Sequence, residues 1–325
     1  MDTKEFDRKL LEATQRAEKV LQHHLPEEKG QQRRVIEAMN YSVTAGGKRL
    51  RPILMSETYR MCGGCDKELI GFFMAAIEMI HTYSLVHDDL PAMDNDRYRR
   101  GKETTWYVYG DAMGILAGDG LLNYAFETAL KAPEYCLDNR DLSNDEKVEY
   151  LRRIWRAIAV MAGKAGIWGM IGGQAVDIMA EGQNRSVGVE TKSAEIRENE
   201  EAQLLFIHEH KTAALIQAAM MTGAILAGAS KEQIQKIEKC AGNIGLAFQI
   251  QDDILDVTGD SSELGKSVGS DAGNQKATYV NLKGLEQAGA DVEALSREAA
   301  AILDGFEGEH EFLGELILNL IYRRK

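Results

Sequence analysis

Proline is scarce: Pro26, Pro52, Pro91 and Pro133 are the only 4 in 325 residues, and none follows Pro133. Proline breaks helix interiors, so this long proline-free stretch favours a mostly helical chain. Cysteine is equally sparse. Cys62, Cys65, Cys136 and Cys240 are too few to staple a chain of this size and fit a reducing cytoplasm. Cys62 and Cys65 have CxxC spacing, but no second pair or nearby histidine completes a zinc site. Positive charge is in deficit, with 38 Lys+Arg against 51 Asp+Glu and a net charge of -13. That balance argues against nucleic acid or an anionic membrane as partner, since both reward basic patches. An anionic ligand would need a divalent cation as a bridge. The N-terminus, MDTKEFDRKLLEATQ, lacks the apolar core of a signal peptide. The uncharged run at 212–230 is long enough to span a bilayer, yet its Ala, Gly and Met would drive insertion weakly. A buried core helix is expected there, and no membrane span. There is no GxxxxGK[ST] loop, no GxSxG elbow and no dinucleotide fingerprint.

What is present is helical periodicity without alternating strand patterns. Phe6, Leu10, Ala13 and Ala17 open a first helix, and the His23-His24 pair is expected on an exposed face. A second helix is predicted over 31–42, and a third from Pro52 to the Gly63-Gly64 pair. Long apolar helices follow over 67–87 and 112–130. Ser143 with Glu146 and Ser230 with Gln233 read as capping boxes opening two more. No repeat or linker divides the chain, so 1–325 is read as one domain. Two segments look like working loops: 91–102, which mixes acids with three arginines, and 258–278, rich in Gly, Ser, Asp and Lys.

Chemistry concentrates in two aspartate clusters, Asp88-Asp89 with Asp94 and Asp252-Asp253 with Asp256. On an ideal helix Gly245, Gln249, Asp252 and Asp256 share an arc of about 60°, opposite Leu246, Ile250, Ile254 and Val257. Ionised carboxylates on an otherwise apolar helix must face a cavity or a cation. His81 lies two turns before Asp88 on the same face, and Asp94 reaches back only if the chain bends after Pro91. Facing each other, the clusters would form an oxygen cage suited to magnesium. Lys48, Arg49 and Arg51 after Gly46-Gly47, then Arg99, Arg100, Lys211, Lys266 and Lys276, supply cations fit to clamp a diphosphate.

These segments, GGKRLRP (46–52), IHTYSLVHDDLPAMDND (80–96), RRGK (99–102), GILAGD (114–119), GMIGGQAVDI (169–178), HKTAAL (210–215), FQIQDDILDVTGD (248–260), LGK (264–266) and KATY (276–279), resemble the trans-isoprenyl diphosphate synthase (polyprenyl synthetase) family. Within it they are most like the bacterial farnesyl type. The resemblance implies an all-α bundle around a deep central cavity, usually a homodimer, that joins isopentenyl diphosphate head-to-tail to dimethylallyl and geranyl diphosphate. It implies magnesium, three ions per site with manganese as a substitute, held by Asp88, Asp89, Asp94, Asp252, Asp253 and Asp256. Arg99, Lys211 and Lys266 would grip the allylic diphosphate, Lys48, Arg51, His81 and Arg100 the isopentenyl one, and Gly47 and Lys276 would also bind substrate. Thr212, Gln249 and the Lys211 carbonyl would steady the allylic cation. Tyr83 and Ser84, just before the first aspartates, would limit product length to C15. A C20 synthase and a non-catalytic regulatory subunit are the alternatives. Glu103, Trp106, Ala213 and Gln251 depart from the family's usual residues.

Overall fold

The computed structural model describes residues 1–184, 194–258 and 278–322, with backbone alone at 181–184 and 194–198. Its contacts divide into two compact units: Asp2–Ala159 with Thr222–Ala229, and Val160–Met221 with Ser230–Lys325 and Met1. Among the described residues both are helical, apart from one two-residue ladder.

The first unit is built on α4 (Lys67–Asp88), whose apolar run is buried almost without interruption from Leu69 to Ile80. A helix apolar on all sides must be surrounded, and α1 (Thr3–His24), α2 (Arg33–Val43), α3 (Leu50–Met61), α6 (Asp111–Ala129) and α7 (Lys131–Asp138) pack against it. Asp66 starts α4 by accepting from the Glu68 and Leu69 amides at 3.1 and 3.0 Å. α4 has the length and hydropathy of a membrane span, but 83% of its apolar window is buried, as in a core helix. The stretch Asn144–Ala180 passes the same test, though a turn at 166–169 interrupts it. On α1, Phe6, Ala13, Ala17 and Leu21 face inward, and so does His24. The exposed histidine pair expected from the sequence is therefore corrected: His23 is exposed, while His24 packs 5.1 Å from the Phe72 ring. Burial, then the neighbouring His23 and Lys131, lower its pKa to about 4.

The 91–102 loop holds an unexpected hairpin. β1 (Tyr98–Arg99) pairs antiparallel with β2 (Lys102–Glu103), turning at Arg100 and Gly101, both at positive φ (55° and 75°), the backbone of a type I′ turn. A short α5 (Thr105–Tyr109) leads into α6. α8 (Asn144–Ala165) opens with the expected capping box: Ser143 Oγ accepts from the Glu146 amide while Glu146 Oε2 accepts from the Ser143 amide.

In the second unit, α9 (Met170–Asn184) and α10 (Ala194–Ile207) precede a π-helical turn, His208–Ala213, which runs directly into α11 (Ala214–Ala227). The run at 212–230 is thus split between two helix types, and its α11 core, from Leu215 to Leu226, is mostly buried. α12 (Lys231–Thr258), opened by the Ser230/Gln233 box, packs along α13 (Tyr279–Lys283), α14 (Leu285–Leu303) and α15 (Glu311–Ile321). All four cysteines are free.

Candidate active site

The first aspartate motif ends α4 and folds back on itself. Pro91 turns the chain, and the Asp94 amide donates to the Asp88 carbonyl at 2.9 Å while the Asp96 amide donates to that of Asp89 at 3.2 Å. The bend that Asp94 needs is present. Asp88 is half-buried and Asp94 exposed, whereas Asp89 is buried and accepts from Arg99 Nε at 2.7 Å. Burial pushes the Asp89 carboxyl up to about 6 despite that guanidinium. Adjacent on a helix, the two side chains diverge by about 100°, so one meets solvent and the other the hairpin.

The cations nearby separate in the same way. Arg49 is buried and bonded to Glu18 at 2.7 Å and to Glu78 at 2.9 Å, so it serves the interior. Lys48 is exposed, Arg51 is half-buried, and the Arg51 Nε is buried without a partner. Burial, and secondarily Arg100, lower the Arg51 pKa to about 10. Arg100 donates to the Gly46 carbonyl, and its guanidinium lies where a Gly47 side chain would be, so the close approach needs glycine at 47. His81 sits among these arginines. Desolvation, then Arg51, Arg100, Arg99 and Arg49, hold it well below the usual histidine range, so it is neutral at pH 7. The result is a bowl of guanidiniums around a neutral imidazole, with the chemistry of an anion site.

Upstream of Asp88, Tyr83 is 5% exposed and its hydroxyl is buried without a partner. Its ring meets His87 edge-on at 5.8 Å, and burial, then the Asp88 charge, push the phenol up to about 12. Ser84 Oγ returns to the His81 carbonyl at 2.9 Å.

In the second unit the π-helical turn carries Lys211 and Thr212. Thr212 Oγ1 donates to Gln249 Oε1 at 3.0 Å, joining two residues singled out from the sequence. Lys211 Nζ bonds Asp177 Oδ2 on α9 at 2.5 Å. Asp177 lies within GMIGGQAVDI (169–178), and its place one helical turn after Gly173 is the sequence signal that marks it. Gly173 lies against the backbone of His210 and Lys211, and Gly245 against Ala213, so glycines bring α9 and α12 up to the turn. π-turns of this kind recur at functional sites. The sequence contained no signal for it.

On α12 the polar stripe is real but its members differ. Gln249, Asp252 and Asp256 are half-buried, while Asp253 is buried and accepts from the Tyr279 amide at 2.7 Å. His208 Nε2 lies 3.9 Å from Asp253, and burial lowers the His208 pKa to about 4. On the opposite side Ile250 is buried as expected, but Leu246 and Ile254 are half-buried and Val257 is exposed. Lys266 and Lys276 and most of the 258–278 loop lie outside the described residues. A cavity of about 380 Å³ borders the π-turn, but Glu209, His210 and Ala213 line it rather than Lys211 or Thr212. Its Lys164 is already bonded to Gln217 and Glu238.

Asp88, Asp94, Asp252 and Asp256 offer hard oxygen donors at accessible positions. Among the described residues no three acidic, histidine or cysteine side chains form a ready-made cage. Taken by itself, each motif's accessible pair fits magnesium, which takes one or two carboxylates and completes its shell with water and substrate phosphate.

The comparisons agree with this chemistry. A farnesyl diphosphate synthase of Geobacillus stearothermophilus is 44% identical over 249 residues, 76% of this chain and 74% of that one. The large subunit 1 of a chloroplast heterodimeric geranylgeranyl pyrophosphate synthase of Arabidopsis thaliana is 43% identical over 277 residues, 85% of this chain and 68% of that one. An apo FPP/GFPP synthase structure from Zymomonas mobilis superposes with a TM-score of 0.77 at 32% identity, covering 98% and 99% of the two chains. A geranyltransferase of Helicobacter pylori, solved with magnesium and isoprenyl diphosphate, gives 0.73 at 31% identity over 97% and 95%. Residues 32–306 match the polyprenyl synthetase family model, and with these relatives they make the chain a polyprenyl synthetase, a helical-bundle prenyltransferase of the trans-prenyl diphosphate synthase kind.

Proposed function

We propose that this prenyltransferase makes (2E,6E)-farnesyl diphosphate, condensing isopentenyl diphosphate with dimethylallyl and then geranyl diphosphate and releasing pyrophosphate. The observation that carries the C15 assignment is Tyr83, a buried ring five residues before Asp88. A bulky side chain there would stop a growing prenyl chain.

Asp88, Asp94, Asp252 and Asp256 would hold the magnesium ions, with Asp89 and Asp253 shaping the motifs from inside. Bound magnesium would neutralise the allylic diphosphate and stabilise the departing pyrophosphate. Arg99 and Lys211, with Lys266 and Lys276, would complete that grip, Lys211 exchanging Asp177 for a phosphate oxygen. Lys48, Arg51, Arg100 and the neutral His81 would hold isopentenyl diphosphate. By donating its proton to Gln249, Thr212 keeps its own lone pairs available to the allylic cation. The isopentenyl double bond then attacks that cation, and released pyrophosphate can take the proton. A single catalytic domain, a homodimer and a cytoplasmic location belong to the same proposal.

The test is the product spectrum of the purified chain with dimethylallyl diphosphate, excess isopentenyl diphosphate and magnesium. C15 is expected from the wild type and longer products from Tyr83→Ala. If both make C15, Tyr83 is not the floor. A wild-type C20 product would favour the second reading, to which the geranylgeranyl synthase relatives lend weight. No elongated product at all would favour a regulatory subunit.

A further inference from the structure

Beside the guanidiniums assigned to substrate, a fourth is turned wholly inward. The Arg49 side chain is 1% exposed, and its backbone stands in the left-handed region at φ 47°, which an L-residue adopts only when its surroundings hold it there. Its Nε donates to Glu18 Oε1 on α1 at 2.7 Å, its Nη1 to Glu78 Oε1 on α4 at 2.9 Å and its Nη2 to the Val43 carbonyl ending α2 at 2.6 Å. One planar fork thus ties three helices, which a lysine ammonium cannot reproduce. Glu78 Oε2 is buried and unpartnered, so Arg49 supplies the pairing of that carboxylate. The residues around this hub are those assigned to isopentenyl diphosphate. Lys48 precedes Arg49, Arg51 follows two residues later, the Gly46 carbonyl holds Arg100, and His81 lies one turn beyond Glu78 on α4.

We propose that Arg49 is a positioning residue for the isopentenyl diphosphate subsite: it touches no substrate, and by locking the 46–51 loop onto α1, α2 and α4 it presets Lys48, Arg51, Arg100 and His81. The proposal rests on the prenyl-transfer reading. A role in stability alone would weaken both substrates together, whereas positioning weakens one.

The experiment compares wild type, Arg49→Lys and Glu18→Gln by calorimetric titration with isopentenyl diphosphate, by kinetics in each substrate and by thermal melting. Glu18 lies on α1 and reaches the subsite through Arg49. The Kd and KM for isopentenyl diphosphate should rise about tenfold in Arg49→Lys and about threefold in Glu18→Gln. The KM for the allylic diphosphate should stay within about twofold. Unchanged isopentenyl diphosphate binding in both variants, or equal deterioration for both substrates, overturns the proposal. If Arg49→Lys does not fold, Glu18→Gln decides by the same criterion. A wild type that neither binds nor condenses isopentenyl diphosphate overturns the functional reading and this proposal with it. An active wild type with indifferent variants overturns the positioning role alone.

Discussion

Asp88 ends α4 and Asp252 lies within α12, both at half-buried positions, so truncating either removes charge without opening a core. Asp88→Ala and Asp252→Ala should lower turnover by orders of magnitude while leaving the melting temperature nearly unchanged; turnover like the wild type's in either would contradict the assignment. His24 offers a prediction far from the chemistry. Its folded pKa, about 4, lies below the unfolded value, so the unfolded chain takes up the proton first as pH falls. Its contribution is full above pH 6.5 and is lost through the window down to about 4. Between pH 7.5 and pH 5 the loss should be about 2 kcal/mol, read as the drop in urea-unfolding stability that His24→Leu lacks. Trp106 and Ala213, two departures from the family's usual residues, have local explanations. The Trp106 indole donates to the Asp96 carbonyl at 2.9 Å, and Ala213 fits because Gly245 leaves it room.

Helices meet tightly where α9 crosses the π-turn. A methyl at Gly173 would collide with the Lys211 backbone nitrogen. Gly173→Ala should therefore cost about 1–3 kcal/mol of stability and lower kcat more than the KM for isopentenyl diphosphate, since Lys211 and Thr212 would shift; unaltered kcat and melting would refute this. The elements most legible beforehand are those with local signals. Both capping boxes form, and α3, α4 and α6 begin and end within two residues of the places that proline, glycine and apolar periodicity indicate. The π-turn was not legible, because an inserted residue in a helix has no compositional mark. Nor was the inward turn of Arg49, Asp89 and Asp253, since burial of one among several like residues depends on what packs around it. The charges of the candidate site could be found in the sequence; which of them turn inward could not.

For the whole molecule, the charge of -13 sets the terms on which it meets a diphosphate. Repulsion at long range and attraction within the guanidinium bowl make the divalent cation the deciding partner. EDTA should abolish turnover and added magnesium restore it, while melting in the absence of diphosphate stays the same. Pyrophosphate with magnesium should raise the melting temperature, by linkage worth about 2.7 kcal/mol at a hundredfold excess over Kd. If pyrophosphate alone raised it equally, the carboxylates would not be acting through metal.

The seam at Gly173 is main chain against main chain, with no side-chain layer between to be trimmed or filled. A protein engineer wishing to retune Lys211 therefore has no handle at the crossing itself. The adjustable piece is Asp177, one turn along, whose length and charge set where the ammonium comes to rest.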